Sequence, residues 1–128
     1  MSIQHVNVDG IIQLPAFSHA TIAGDFIYVS GTLGTDPANN QVVAGGTGAE
    51  TAQALRNIES ILKACGATLN DLVKVNVFLT DISTFAEMNE AYVSVIGENP
   101  PARITVGRSA FALDAAVEID AIAYKPQN

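Results

Sequence analysis

Pro100-Pro101-Ala102-Arg103-Ile104-Thr105-Val106-Gly107 is the stretch around which the rest of the chain can be read. Its two prolines fix φ and end whatever precedes them. Ile104 and Val106 then alternate with Arg103 and Thr105, the period of a half-buried strand. With the aliphatic pair turned to a core, Arg103 and Thr105 face the other way. No Asp or Glu stands within two positions of Arg103. A guanidinium offers a planar fork of donors that matches a carboxylate or phosphate. Arg103 is therefore a candidate anchor for the acid group of a small ligand. The plainer reading is an exposed arginine or one half of a surface ion pair, which contributes little.

Composition narrows the field. The chain has 128 residues, enough for a real core, and reads as one domain over residues 1–128. Charged residues make up only 15% against 48% apolar ones, so part of the surface is expected to be covered by copies of the same chain. The net charge of −7, without any basic run, removes the electrostatic footprint for nucleic acid or anionic membrane. A lone Cys65 excludes an internal disulfide, and His5 and His19 belong to no cluster with metal-ligand spacing. Without a leader-like or membrane-length apolar run, a cytoplasmic protein with no metal is expected.

Outward from this stretch, Val117, Ile119, Ala121 and Ala123 share one face of a strand over 116–124, with Glu118 and Asp120 on the other. If two helices cover the apolar face, the opposite face carries Arg103, Thr105, Glu118 and Asp120. Residues 72–79 form the plainest strand, with Val73, Val75, Val77 and Leu79 on one side. Residues 3–8 make a first strand. Residues 20–23 and 26–30 flank Gly24-Asp25, suited to a two-residue hairpin turn. Residues 31–48 are a long loop, a candidate functional segment. Thr47 with Glu50 matches a capping box and opens a helix, which Gly66 closes. On that helix Leu55, Ile58, Ile61, Leu62 and Cys65 share a face, and Cys65 is a small core residue rather than a nucleophile. Ser83 caps a second helix whose stripe is Phe85, Met88, Tyr92, Val95 and Ile96, with Asn89 just off it. The order β-β-β-α-β-α-β-β predicts an α+β layer, helices on one face of a mixed sheet.

Seven short motifs stand in order with natural spacing. They are Phe17-Ser18-His19-Ala20; Val29-Ser30-Gly31; Ala54-Leu55-Arg56-Asn57-Ile58; Lys74-Val75-Asn76-Val77-Phe78-Leu79; Phe85-Ala86-Glu87-Met88-Asn89-Glu90-Ala91-Tyr92; Pro101-Ala102-Arg103; and Val117-Glu118-Ile119-Asp120-Ala121-Ile122-Ala123. Together they resemble the Rid family, the YjgF group of reactive-intermediate deaminases, over essentially the whole chain. The resemblance implies a single-domain chorismate-mutase-like fold, about six strands with two helices on one face. It also implies a homotrimer with clefts between subunits, and hydrolysis of 2-imino acids and enamines to 2-oxo acids and ammonia without a cofactor.

By the same resemblance, Arg103 binds the substrate carboxylate and Glu118 orients or activates water. Ser30, Gly31 and Asn89 line the cleft, and Thr105 stands where many members have cysteine. Phe17 stands where active deaminases commonly have tyrosine, and Phe111-Ala112 replaces a usual Leu-Pro. The chemistry suits these residues: a bidentate arginine places the C=N carbon, and a carboxylate need only hold water and move its proton. Two other readings stand beside it. One is a non-catalytic trimer that binds small carboxylates through Arg103. The other is endoribonuclease activity, which the charge disfavours.

Overall fold

The computed structural model describes residues 2–107 and 109–126. The alternation on the last strand, β6 (Val117–Tyr124), is the axis of the fold: Val117, Ile119, Ala121 and Ala123 are all buried. Six strands lie in the order β1-β2-β3-β6-β4-β5, so β6 sits between β3 (Phe26–Leu33) and β4 (Leu72–Leu79). β1 (Gln4–Val6) and β2 (Ala20–Ala23) extend one edge, and β5 (Ala102–Val106) forms the other. All neighbours are antiparallel except β4 and β5. A parallel pair needs a long crossover, supplied here by α2 (Phe85–Ile96). With α1 (Gly46–Ala64) this gives the α+β architecture of a mixed six-stranded sheet and two helices.

Ala54, Leu55, Ile58, Ile61 and Leu62 of α1 and Met88, Tyr92 and Ile96 of α2 share one core with Ile27, Val29, Val77, Ile119 and Ala121 of the sheet. Each large aliphatic side chain so buried contributes roughly 1.5–3 kcal/mol. Gly24, at φ 61°, makes the β2–β3 hairpin turn as read from the sequence. The end of α1 is a Schellman motif, with the Ala67 N–H on the Leu62 carbonyl (2.8 Å) and the Gly66 N–H on that of Lys63 (3.0 Å). Cys65 is buried beside it and its thiol pKa is pushed up by desolvation, which suits a core residue.

Five local readings are corrected. The start of α1 has no capping box: Gly45 (φ 116°) is its N-cap, with no side-chain cap bond. Glu50 instead accepts the Ala116 N–H at 2.8 Å, and Glu87 on α2 accepts the Gly48 N–H at 2.7 Å. That carboxylate on the positive end of α1 replaces a local cap. Ser83 lies within a 3-10 turn capped by Asp81, whose Oδ1 accepts the Ser83 N–H at 2.9 Å. The loop after β3 spans residues 34–45 rather than 31–48, because pairing continues to Leu33 and helix begins at Gly46. Asn57 of α1 holds it, donating to the carbonyls of Leu33 and Thr35. Val73 is exposed and Leu72 buried, because the β4–β6 register slips between Leu72 and Lys74.

β5 faces the opposite way from the sequence expectation. Arg103 pairs with Val75 and Thr105 with Val77, so both point to the helix layer, while Ile104 (51% exposed) and Val106 lie on the open face. Alternation defined two faces but not their sides. Besides Asn76, Glu118 and Asp120, the open face carries Phe26, Tyr28, Tyr124, Ile104 and Val106, all exposed.

Candidate functional site

Glu118 is the centre of one cluster. β3 carries a bulge beside it: Val29 pairs with Ala121 but Thr32 with Ile119, so Ser30 and Gly31 both face Asp120. The bulge brings the Gly31 backbone onto the Glu118 carboxyl. A Cβ at Gly31 would lie 3.0 Å from the Glu118 Cδ and 3.2–3.3 Å from its oxygens. Burial raises the Glu118 pKa above the ordinary carboxyl value, and the nearby Asp120 charge adds to the rise. Asp120 is held by Asn76, whose Nδ2 donates to Oδ1 at 2.7 Å. A carboxyl raised in this way, in a cleft, suits proton transfer to and from water.

A cavity of about 550 Å³ opens over this carboxyl, with Phe17, Ser30 and Gly31 in its lining. Ser30 is committed to structure, its hydroxyl donating to the Ser18 carbonyl at 2.5 Å. The loop that carries Phe17 is pinned by His19, which is buried. A backbone N–H can only donate, so His19 Nδ1 accepts from Val8 (3.0 Å) and Nε2 donates to the Ile12 carbonyl (2.8 Å). Beyond Phe17 lies a second, more open cavity of about 540 Å³, lined by His5, Gln13, Thr21 and Tyr28 among others, with no Asp, Glu, Lys or Arg among its described lining residues.

Arg103 is the centre of a second cluster. Its guanidinium carbon lies 4.6 Å from the Tyr92 ring centroid and 5.6 Å from that of Phe85. Cation–π stacking on both rings holds the fork without using its N–H donors. Among the described residues Arg103 makes no ion pair. The Tyr92 and Thr105 hydroxyls are buried with no hydrogen-bond partner, the kind of exception that calls for a ligand or a partner. Burial raises the Tyr92 pKa, and the Arg103 charge pulls the other way. Asn89 lies between Phe85 and Tyr92 on the same face of α2.

The sequence-read residues thus fall into two groups. Phe17, Ser30, Gly31 and Glu118 come together, as do Asn89, Arg103 and Thr105. Arg103 aligns through Val75 with Ala121, two strands and three residues from Glu118. At ordinary strand spacing that separates the two backbones by roughly 14 Å. Their side chains also leave opposite faces of the sheet. One small ligand cannot touch both within a single chain. Tyr92 is buried in the core, as its place on the helical stripe implies, and its ring also lies against Arg103, which the stripe did not reveal. Nor did any pattern announce the left-handed backbone of Leu113.

Fold and clusters define a class: a small mixed-sheet protein with two helices on one face and two separate clusters around Glu118 and Arg103. The sequence pattern described as Endoribonuclease L-PSP matches residues 11–125, and the chain belongs to that family, the YjgF/RutC/Rid family. It is 44% identical over 109 residues to a RutC family protein of Pyrococcus horikoshii, covering 85% of this chain and 86% of that one. It is 42% identical over 108 residues to the 2-iminobutanoate/2-iminopropanoate deaminase of Rattus norvegicus, covering 84% and 79%. The crystal structure of RidA from an Antarctic Psychrobacter superposes with a TM-score of 0.89 at 38% identity, covering 94% of this chain and 98% of that one.

Proposed function

We propose that this protein hydrolyses 2-imino acids and their enamine tautomers to 2-oxo acids and ammonia, in clefts completed between the subunits of a homotrimer. The observation that carries the reading is the split of Arg103 and Glu118 onto opposite faces of one sheet, each in a half-site with unused capacity. A second copy supplies what each half lacks. The apolar open face needs cover in any case, since exposed patches of that kind mark association surfaces. Relatives named as imine deaminases at about 40% identity support the activity.

In this reading Arg103 of one subunit clamps the substrate carboxylate and so sets the C=N carbon above Glu118 of the next. Asn89 and Thr105 border the arginine side, and Phe17, Ser30 and Gly31 the carboxylate side. Glu118 takes a proton from water as the oxygen adds to the carbon. The carbon–nitrogen double bond becomes single, and the proton then passes to nitrogen. The hydroxyl proton then passes through Glu118 to the same nitrogen, which leaves as ammonia while the carbon–oxygen double bond forms. Water is the only co-reactant, so the step balances without a cofactor.

One observation favours a second reading, a non-catalytic trimer that binds small carboxylates. Phe17 has no hydroxyl and that of Ser30 is committed, which leaves Glu118 little help in handling water. Endoribonuclease activity is disfavoured by the −7 charge. Imine clearance decides. An amino-acid oxidase generates 2-iminopropanoate or 2-iminobutanoate, semicarbazide traps what survives, and the protein competes with the trap. Less trapped product is expected with wild type and none of this competition with Arg103→Ala. Equal clearance by that variant would refute the role of Arg103. No clearance by wild type, with 2-oxo acids still bound, would establish the second reading.

A further inference from the structure

We infer that the Glu118 cavity selects substrates by an apolar side chain, and that branched aliphatic 2-imino acids suit it better than the alanine-derived imine. This rests on the deaminase reading and names the substrate class of the same site. The cavity wall offers little to a polar group. Its polar side chains other than Glu118 are already engaged. His19 uses both ring nitrogens, Thr32 donates to the Ser30 carbonyl at 2.8 Å, and Ser30 donates to Ser18. Thr35 is buried beneath Asn57, whose Nδ2 lies 3.5 Å from its hydroxyl. A polar substrate side chain directed at this side of the cleft would find few partners and would lose its water.

Among the described residues, the rest of the wall is apolar apart from backbone. Leu14, Phe17 and Leu113 are large, exposed side chains gathered around one concavity, with Ile11, Ile12 and Leu33 behind them. Leu113 has φ 60° and ψ 23°, and Asp114 follows at φ 52°. A left-handed backbone is unfavourable for leucine, and glycine or asparagine would take it more readily. Backbone held in this way concentrates at functional sites. Here it presents an apolar side chain to the cavity, which at about 550 Å³ falls within the size range of small-molecule sites, about 300–1,000 Å³.

A leucine-derived acid carries three more carbons than an alanine-derived one. Each buried methylene changes affinity about fourfold, so full burial gives about sixtyfold and half-burial in an open cavity about eightfold. The probes are pyruvate and 4-methyl-2-oxopentanoate for calorimetric binding, and the imines of alanine and leucine for clearance. Wild type should favour the larger member at least eightfold in both. Leu113→Asn tolerates the left-handed backbone while making the wall polar, and should bring the ratio near one. Leu14→Asn tests the wall from a different segment.

A ratio near one in wild type overturns the inference, as does an unchanged ratio in both variants. So does a change in oligomeric state with the ratio unaltered, which would make the wall a contact between copies. Clearance without preference would leave the deaminase reading standing and this one refuted. Binding preference without clearance of any imine would do the reverse.

Discussion

Gly31→Ala separates the placement of Glu118 from its presence. Gly31 is not among the positive-φ residues, so alanine fits the backbone. The added methyl would stand 3.0 Å from the Glu118 Cδ, against the roughly 3.5–4.0 Å of an unstrained contact. The carboxyl must therefore recede by roughly half an ångström or more, or rotate away. Its chain is flexible, so the fold should tolerate the change. Lost freedom in the unfolded chain favours alanine by about 0.4–1 kcal/mol, and the crowding offsets a similar amount. Net stability should stay within about 1 kcal/mol of wild type. Catalysis should not, because a displacement on the order of 1 Å at a reacting group costs about 10²-fold. Thermal unfolding and semicarbazide competition measure the two quantities on one sample. Affinity for a 2-oxo acid, attributed to Arg103, should change little. A folded Gly31→Ala variant that clears imine at the wild-type rate would refute the view that Gly31 seats the catalytic carboxyl.

Asp120→Asn removes one of the two causes that raise the Glu118 pKa, burial being the larger. Glu118 acts ionised in the proposed reaction, so activity should rise with pH through its raised pKa. The variant should move that acidic limb to lower pH, and an unmoved limb would assign the titration to another group. The linked stability runs the opposite way. The folded state holds the Glu118 proton more tightly than the unfolded one, so this group's contribution falls as pH rises from the ordinary carboxyl value through the raised one. Melting measured at intervals from about pH 4 to 7 should show a shallower fall in Asp120→Asn, because this window begins at the ordinary carboxyl value. Gly34→Ala should fail by structure alone: its Cβ would lie 2.3 Å from the Glu50 carbonyl oxygen and 2.8 Å from its Cα, both backbone of α1. A loss of about 3 kcal/mol or more is expected in urea unfolding, and a loss below about 1 kcal/mol would show that the loop moves away at little cost.

What sequence reasoning recovered was local or strictly periodic. The β6 alternation, the Gly24 turn and the Gly66 helix end each depend on residues a few positions apart. What it missed depended on residues far away. The cap of α1 comes from Glu87, 39 positions on, and Glu50 was free to bind Ala116 for that reason. The slip after Leu72 and the bulge at Ser30-Gly31 add a residue to one strand only, which a period of two within that strand cannot reveal. Of the candidate site, Arg103 was legible as an isolated cation, whereas Tyr92 read as a core aromatic on a helical stripe, which it also is. Only the fold brings its ring beneath the guanidinium and leaves its hydroxyl without a partner.

The side on which Arg103 falls has the largest consequence. Were Ile104 and Val106 the inward pair, Arg103 and Glu118 would share the open face. A single chain could then offer a ligand both charges, and nothing in the chemistry would ask for a second copy. The register puts Arg103 beside Val75 and Glu118 beside Phe78, and so on opposite faces. The inversion also leaves Ile104 and Val106 exposed in line with Asn76 and Phe78, on the face that carries Tyr28 and Tyr124. Two unrelated deficits therefore have one remedy. The exposed apolar side chains of the sheet need cover, and in the proposed reaction each cluster needs the charge that the other holds. In the proposed trimer, contact between copies answers both, so assembly and activity should be lost together when the open face is made polar.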